Sequence, residues 1–200
     1  MRKPNTNIVL AATLLSLAIT LLIGCSGEQQ VNEVLDNAMT LAQQGDKTLV
    51  ELDWSGYVSM VHPDDLARFK SSLLLEFERL TMIRKADSIT IFDQTYSIQD
   101  LRSKTPEEFF INIMTLIFRI SPELDNSFKN MKNKFIGAVV ENDSLIHVVA
   151  NTKMLLGTKQ VDEMDIISVR KFEDEWKLRL STKVQGIALM LQQSLQMQQR

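Results

Sequence analysis

Apolar positions recur at helical spacing through the first two thirds of the chain and at a spacing of two through most of the remainder. Val31, Val34, Leu35, Ala38, Met39 and Leu41-Ala42 predict a helix that stops at Gly45-Asp46, and a second helical pattern runs from about Lys47 to Met60. "HPDD" then reads as a helix start: His62 at the cap, Pro63 at the first helical position, and Asp64 and Asp65 where negative charge suits the positive helix end. The amphipathic face it opens runs through Leu66, Phe69, Leu73, Phe77 and Leu80 to about Lys85. "SITIFDQTYSI", Ser88 to Ile98, alternates β-formers and predicts a short strand or hairpin. Thr105-Pro106-Glu107-Glu108 caps a further helix with the stripe Phe109, Phe110, Ile113, Met114, Ile117 and Ile120, ended by Ser121-Pro122.

A helix that apolar needs a cover, and the period changes to supply one. Phe135 to Val140, a polar turn "ENDS", and Leu145 to Leu155 predict a hairpin with Ile146, Val148, Ala150 and Met154 on one face and His147, Asn151 and Lys153 on the other. Met164 to Phe172 and Glu175 to Ser181 predict a second hairpin across "EDE", with Trp176, Leu178 and Leu180 sharing a face. Val184, Ile187, Ala188, Leu191 and Leu195 line a terminal helix over 183–197. Helices followed by an antiparallel sheet of four or more strands, mainly within 131–181, make an α+β domain expected to span 31–200.

The stretches "ELDWSGYVSMVHPDDLARFKSSLLLEF" (Glu51 to Phe77) and "IISVRKFEDEWKLRLS" (Ile166 to Ser181), with the element order between them, resemble the nuclear transport factor 2-like family, also called cystatin-like or SnoaL-like. The resemblance covers about Val31 to Ser181 and implies N-terminal helices packed on a curved sheet. The terminal helix departs from the shortest form of that family, and either plugging the mouth of the sheet or forming a homodimer would suit it.

The N-terminus carries a different signal. Arg2 and Lys3 precede an uncharged run, Ile8 to Ile23, and then Gly24-Cys25, the anatomy of an export signal. Leu22-Ile23-Gly24-Cys25 resembles the lipobox of bacterial lipoproteins, which implies cleavage between Gly24 and Cys25, lipidation of Cys25 and loss of 1–24. Ser26 stands where an Asp commonly signals inner-membrane retention, so the resemblance implies the outer membrane, or the cell membrane of a host without one. Cys25 as a small buried hydrophobe, or as a bystander in an ordinary secretion signal, are the competing readings. Residues 25–30 would form a tether of about 20 Å at roughly 3.5 Å per residue, holding the domain at the membrane surface, facing the periplasm.

Composition narrows the chemistry. The formal charge of −3 becomes −5 once the two positive charges of Arg2 and Lys3 are removed, which argues against a nucleic-acid or anionic-lipid surface. Lys129, Lys132 and Lys134 in "FKNMKNKF" read as a solvated turn. With Cys25 acylated the chain keeps no thiol, and its two histidines read as a helix-start residue (His62) and a polar-face strand residue (His147). No metal-ligand spacing, nucleophile elbow or phosphate loop occurs, so no cofactor and no metal site are expected. Tyr57, Tyr96, Asp93 and Asp165 are of the residue types that acid/base work would need, without a motif that assigns them a catalytic role. Trp54 and Trp176 read as core, and the ten methionines suit an adaptable pocket or ordinary packing.

These readings lead to a non-enzymatic, membrane-anchored lipoprotein whose domain binds a protein partner or a small apolar ligand. The alternatives are a structural or assembly factor of the envelope that docks through the terminal helix, and a small isomerase or hydrolase acting on a lipophilic substrate.

Overall fold

The computed structural model describes residues 31–91, 94–157 and 159–197. Gly24, Cys25, Ser26 and Asp93 lie outside the described residues. The chain divides into two units, 1–37 and 38–200. In the first, residues 31–37 are helical and largely exposed. Everything below concerns the second.

Within this unit helix α1 is continuous over 38–51, so the stop expected at Gly45-Asp46 is not there. Ala38, Ala42, Gly45 and Leu49 form its buried face. Gly45 serves close approach: a Cβ at that position would lie 2.3 Å from Cδ1 of Leu178 on the last strand. The helix ends later, where Leu52 adopts a left-handed conformation (φ 56°) and the Asp53 side chain accepts from the Gly56 N–H at 2.9 Å to cap α2, Trp54–Met60.

Helix α3, Pro63–Arg84, starts as the sequence predicts: His62 caps it, Nδ1 accepting from the Asp64 N–H at 3.2 Å. It ends in a Schellman motif built without glycine. Lys85 takes the left-handed conformation, and its N–H and that of Ala86 reach the Met82 and Thr81 carbonyls. The Ser88 to Ile98 segment is a hairpin of β1, Ser88–Ile91, and β2, Gln94–Ser97, followed by a short helix α4, Ile98–Ser103, that the pattern did not announce. Helix α5, Pro106–Ile120, carries the full capping box between Thr105 and Glu108.

Ser121-Pro122 does end α5, and Pro122 also opens α6, Pro122–Lys129. Proline is favoured at a first helical position because its missing N–H is not needed there. The expected lysine turn is therefore corrected: Lys129 closes α6, while Lys132 and Lys134 lie on a strand. Trp54 is core, as expected. It packs on Phe118 (ring centroids 4.9 Å apart) and edge-on to Phe110, which in turn meets Phe69 at 4.8 Å, so aromatic contacts join α2, α3 and α5.

The four-stranded sheet runs in the order β3, Lys132–Asn142; β4, Leu145–Leu156; β5, Lys159–Phe172; β6, Glu175–Leu178, all antiparallel. Ile146, Val148, Ala150 and Met154 share the buried face as predicted, joined by Thr152, Val169 and Leu178. Irregularities at Phe135/Gly137 and Val140/Asn142 break the β3 ladder, and such bulges bend and twist a strand. Trp176 is half-buried. Helix α7, Thr182–Met197, buries Val184, Ile187, Leu191 and Leu195, with Ala188 half-buried.

Two helix-interior glycines should respond with opposite signs. Gly186 of α7 has no atom within 4 Å of the Cβ it lacks, so Gly186→Ala should stabilise the fold by about 0.5–1 kcal/mol. Gly45→Ala should cost a net ~1 kcal/mol, because overpacking outweighs the gain in helix propensity. Urea unfolding of both variants checks this, and a shift of the same sign in both would refute the close-approach role of Gly45.

Candidate functional site

Two concave places compete for a functional role. The first lies between α1 and the inner face of the sheet, where Asp46, Tyr57, Asn133, Asp165 and Lys183 line one cavity with Leu49, Met131 and Ile167. The Thr152 hydroxyl donates to the Asn133 side-chain Oδ1, the Asn133 side-chain Nδ2 donates to Asp46, and Lys183 pairs with Asp165. The Tyr57 hydroxyl accepts from the Ser181 N–H at 3.3 Å. Burial pushes the Asp46 carboxyl up, against the hydrogen bond from Asn133 and the Lys183 charge, and burial likewise raises the Tyr57 hydroxyl. The space left is ≈ 20 Å³, about one water molecule. The arrangement can hold a water among proton-bearing groups. It has no room for an organic substrate.

Of the acid/base residue types marked in the sequence, Tyr57 and Asp165 meet at this cavity. Tyr96 is elsewhere, on β2 against Gln94. Asp46, Asn133, Thr152 and Lys183 were not marked. Two of them had a visible signal: Asp46 stands four residues after Ala42 and three before Leu49, beside an apolar stripe, and Thr152 interrupts the apolar alternation between Ala150 and Met154. His147, on the opposite face of β4, meets Ser168 and Glu141 and takes no part.

The second place is a groove of ≈ 470 Å³ between α3 and α7, walled by Phe69, Leu73, Leu180, Ala188 and Leu189 and floored in part by Gly186. The helices run side by side in the same direction. Asp65 meets Leu180 at one end, and Gln192 donates to the Ser72 hydroxyl at 2.9 Å at the other. Asp65 is 5% exposed and accepts from Arg179 Nε at 2.6 Å, from the Leu180 N–H at 2.9 Å and from Arg68. Burial alone would raise its carboxyl, but the hydrogen bonds from Arg179, Leu180 and Arg68 outweigh that and hold it below the usual carboxylate range. The side chains of Arg68 and Arg179 remain 61% and 36% exposed. On the other flank of α7, Ile117, Ile120, Leu124, Ile187, Met190 and Leu191 line a smaller, more apolar groove of ≈ 330 Å³. Among the described residues no group of three or more His, Cys, Asp or Glu is placed to hold a metal ion, and no helix is long and apolar enough to cross a membrane.

No protein-family model matches the chain, and no curated protein matches it. Among solved structures it is similar to an NTF-2 like protein of unknown function from Shewanella oneidensis MR-1, at 10% identity, over 72% of this chain and 92% of that one, with a TM-score of 0.38. It is also similar to a chain described as Rd1NTF2_05 with five substitutions, at 8% identity, over 77% of this chain and 96% of that one, with a TM-score of 0.30.

Asp65 ionises more readily folded than unfolded, so the stability it supplies is complete above its unfolded value near 3.8 and is lost as pH falls through the folded value. Asp65→Asn should therefore cost about 2–3 kcal/mol at pH 7, the upper range for a charged hydrogen-bond acceptor, since the Leu180 N–H is buried while Arg68 and Arg179 can re-solvate. The difference from wild type should shrink well below pH 4. Urea unfolding at pH 7 and pH 3 measures it, and an equal difference at both would show that the carboxylate's charge is not what matters.

Proposed function

We propose that this chain is an exported lipoprotein, anchored through Cys25, whose α+β domain is a non-enzymatic binding module that takes a small apolar ligand between α3 and α7. The observation that carries the binding reading is that the α3–α7 groove joins ≈ 470 Å³ of space to apolar walls and a pair of arginines at one end, against ≈ 20 Å³ over the sheet, where ligand sites usually run from about 300 to 1,000 Å³ and are mostly apolar with a few placed polar groups. The element order supports placing the domain among nuclear transport factor 2-like folds. The polar set at Asp46, Tyr57 and Asp165 then serves to fill that fold's interior. Anchoring rests on Arg2 and Lys3, the apolar run Ile8 to Ile23, and Leu22-Ile23-Gly24-Cys25, and two or more acyl chains on Cys25 would make it stable. Ser26 after the lipidated cysteine favours the outer membrane, with the domain facing the periplasm.

A second reading has its own observation. Leu189 and Met190 are more than half exposed on α7, a crest between the two grooves they line that suits an envelope protein partner or a second copy. Deleting α7 would not test this, because Val184, Ile187, Leu191 and Leu195 belong to the core. Leu189→Asp with Met190→Asp keeps the buried stripe.

Growth with an alkyne fatty acid should label the wild-type protein and leave Cys25→Ala unlabelled; equal labelling of both would end the anchor proposal. Native mass spectrometry of the mature domain with Cys25→Ser, purified from the periplasm of its host, should show an added mass that denaturation removes. A bare mass, with partner crosslinks lost in the Leu189/Met190 double variant, would move the assignment to protein docking.

A further inference from the structure

Resting on the ligand-binding reading above, we infer that the α3–α7 groove is a site for a single-chain fatty carboxylate, its tail along Phe69, Leu73 and Leu189 and its carboxylate at Arg68 and Arg179.

The groove is charged at one end only. There, two guanidinium groups share the single carboxylate of Asp65, leaving a net positive charge at the mouth. A guanidinium has five N–H donors, and Asp65 takes one from each arginine. Both side chains keep substantial exposure, so the remaining donors can meet an anionic head. Nothing acidic opposes it from the facing helix, since Thr182–Met197 contains neither Asp nor Glu. The other end is shut by the bond from Gln192 to Ser72. From Asp65 to Ser72 the wall is about 10 Å long at 1.5 Å per helical residue, room for one medium-length alkyl chain.

Gly186 is the independent observation. A glycine inside a helix costs about 1 kcal/mol relative to alanine. Gly45 has a packing reason for lacking a side chain and Gly186 has none, since nothing lies within 4 Å of its missing Cβ. What its bareness preserves is the width of the groove it lines. An extended peptide fits less well than an alkyl chain, because it would bring backbone N–H and C=O groups into an apolar trough whose Ser72 and Gln192 already bond to each other.

The test uses the full-length anchored protein, reconstituted in nanodiscs, with [1-13C]decanoate as the probe. A carboxylate resonance distinct from that of decanoate in empty nanodiscs should appear and saturate. Gly186→Leu should abolish it while unfolding at the same temperature as wild type or higher, which shows that the loss is due to a filled groove. Arg68→Gln, on an exposed side chain, should weaken binding about tenfold, the worth of one charge-assisted hydrogen bond, and decanol should be insensitive to that substitution. Absence of the bound resonance, or its persistence in Gly186→Leu, overturns the inference. So does retention of the Cys25→Ser protein by phosphatidylglycerol vesicles, lost in Arg68→Gln and with no decanoate signal, which would assign the arginines to a lipid surface. If decanoate fails while native mass spectrometry finds another adduct that Gly186→Leu removes, the fatty-carboxylate assignment falls and the binding-module reading stands. If that adduct is also missing, both fall.

Discussion

One buried carboxylate holds the helical layer to the end of the sheet. Asp65, in the first turn of α3, accepts from Arg179 and from the Leu180 N–H just where the chain leaves β6 for α7. A partly buried ion pair alone is weak support for a fold, but a carboxylate with a backbone N–H and two guanidinium partners is satisfied at both oxygens. The neighbouring backbone strengthens the joint: Val61 bridges to Leu178 in parallel, and the His62 N–H donates to the Leu178 carbonyl at 2.8 Å. That junction sets the N-terminal ends of α3 and α7 side by side. The groove between them, and the charge at its mouth, are by-products of the same clamp.

What could be read from the sequence was chemistry that is complete within four residues. The starts of α3 and α5 were legible because His62-Pro63 and Thr105 with Glu108 satisfy local N–H groups whatever the rest of the chain does. The alternation of Ile146, Val148, Ala150 and Met154 was legible because a half-buried strand imposes it. The Gly45 stop failed and α6 went unannounced behind Pro122 for one reason: each residue type has two uses. Glycine ends helices and also admits close neighbours, and the neighbour here, Leu178, is 133 positions away in the sequence. Proline ends one helix and opens the next, and Ser121 leaves no linker between α5 and α6 to mark the change.

The groove was not legible at all, for a geometric reason. Its walls come from residues 65–73 and 179–192, and neither stretch is unusual alone. Asp65 reads locally as a residue that suits the helix dipole. Its stronger role depends on Arg179 and Leu180, which no pattern around position 65 announces. The cavity over the sheet is the converse case. Tyr57 and Asp165 were marked as residue types and do converge, yet Asp46, Asn133 and Lys183 fill the space they would have offered.

The same clamp has a consequence for how the chain comes together. The ladder between β4 and β5 pairs twelve rows beginning at a tight connection, so each row adds little loop to be closed. The bond from Leu180 to Asp65 joins groups 115 residues apart, and closing a loop of that length carries an entropic cost that grows with the logarithm of its length. The helix α3 and the β4–β5 hairpin are thus local structures that can form independently, while the groove exists only after that long loop is closed. In folding terms the groove is a readout of completed topology: a chain with every helix and hairpin in place, but without that closure, has none.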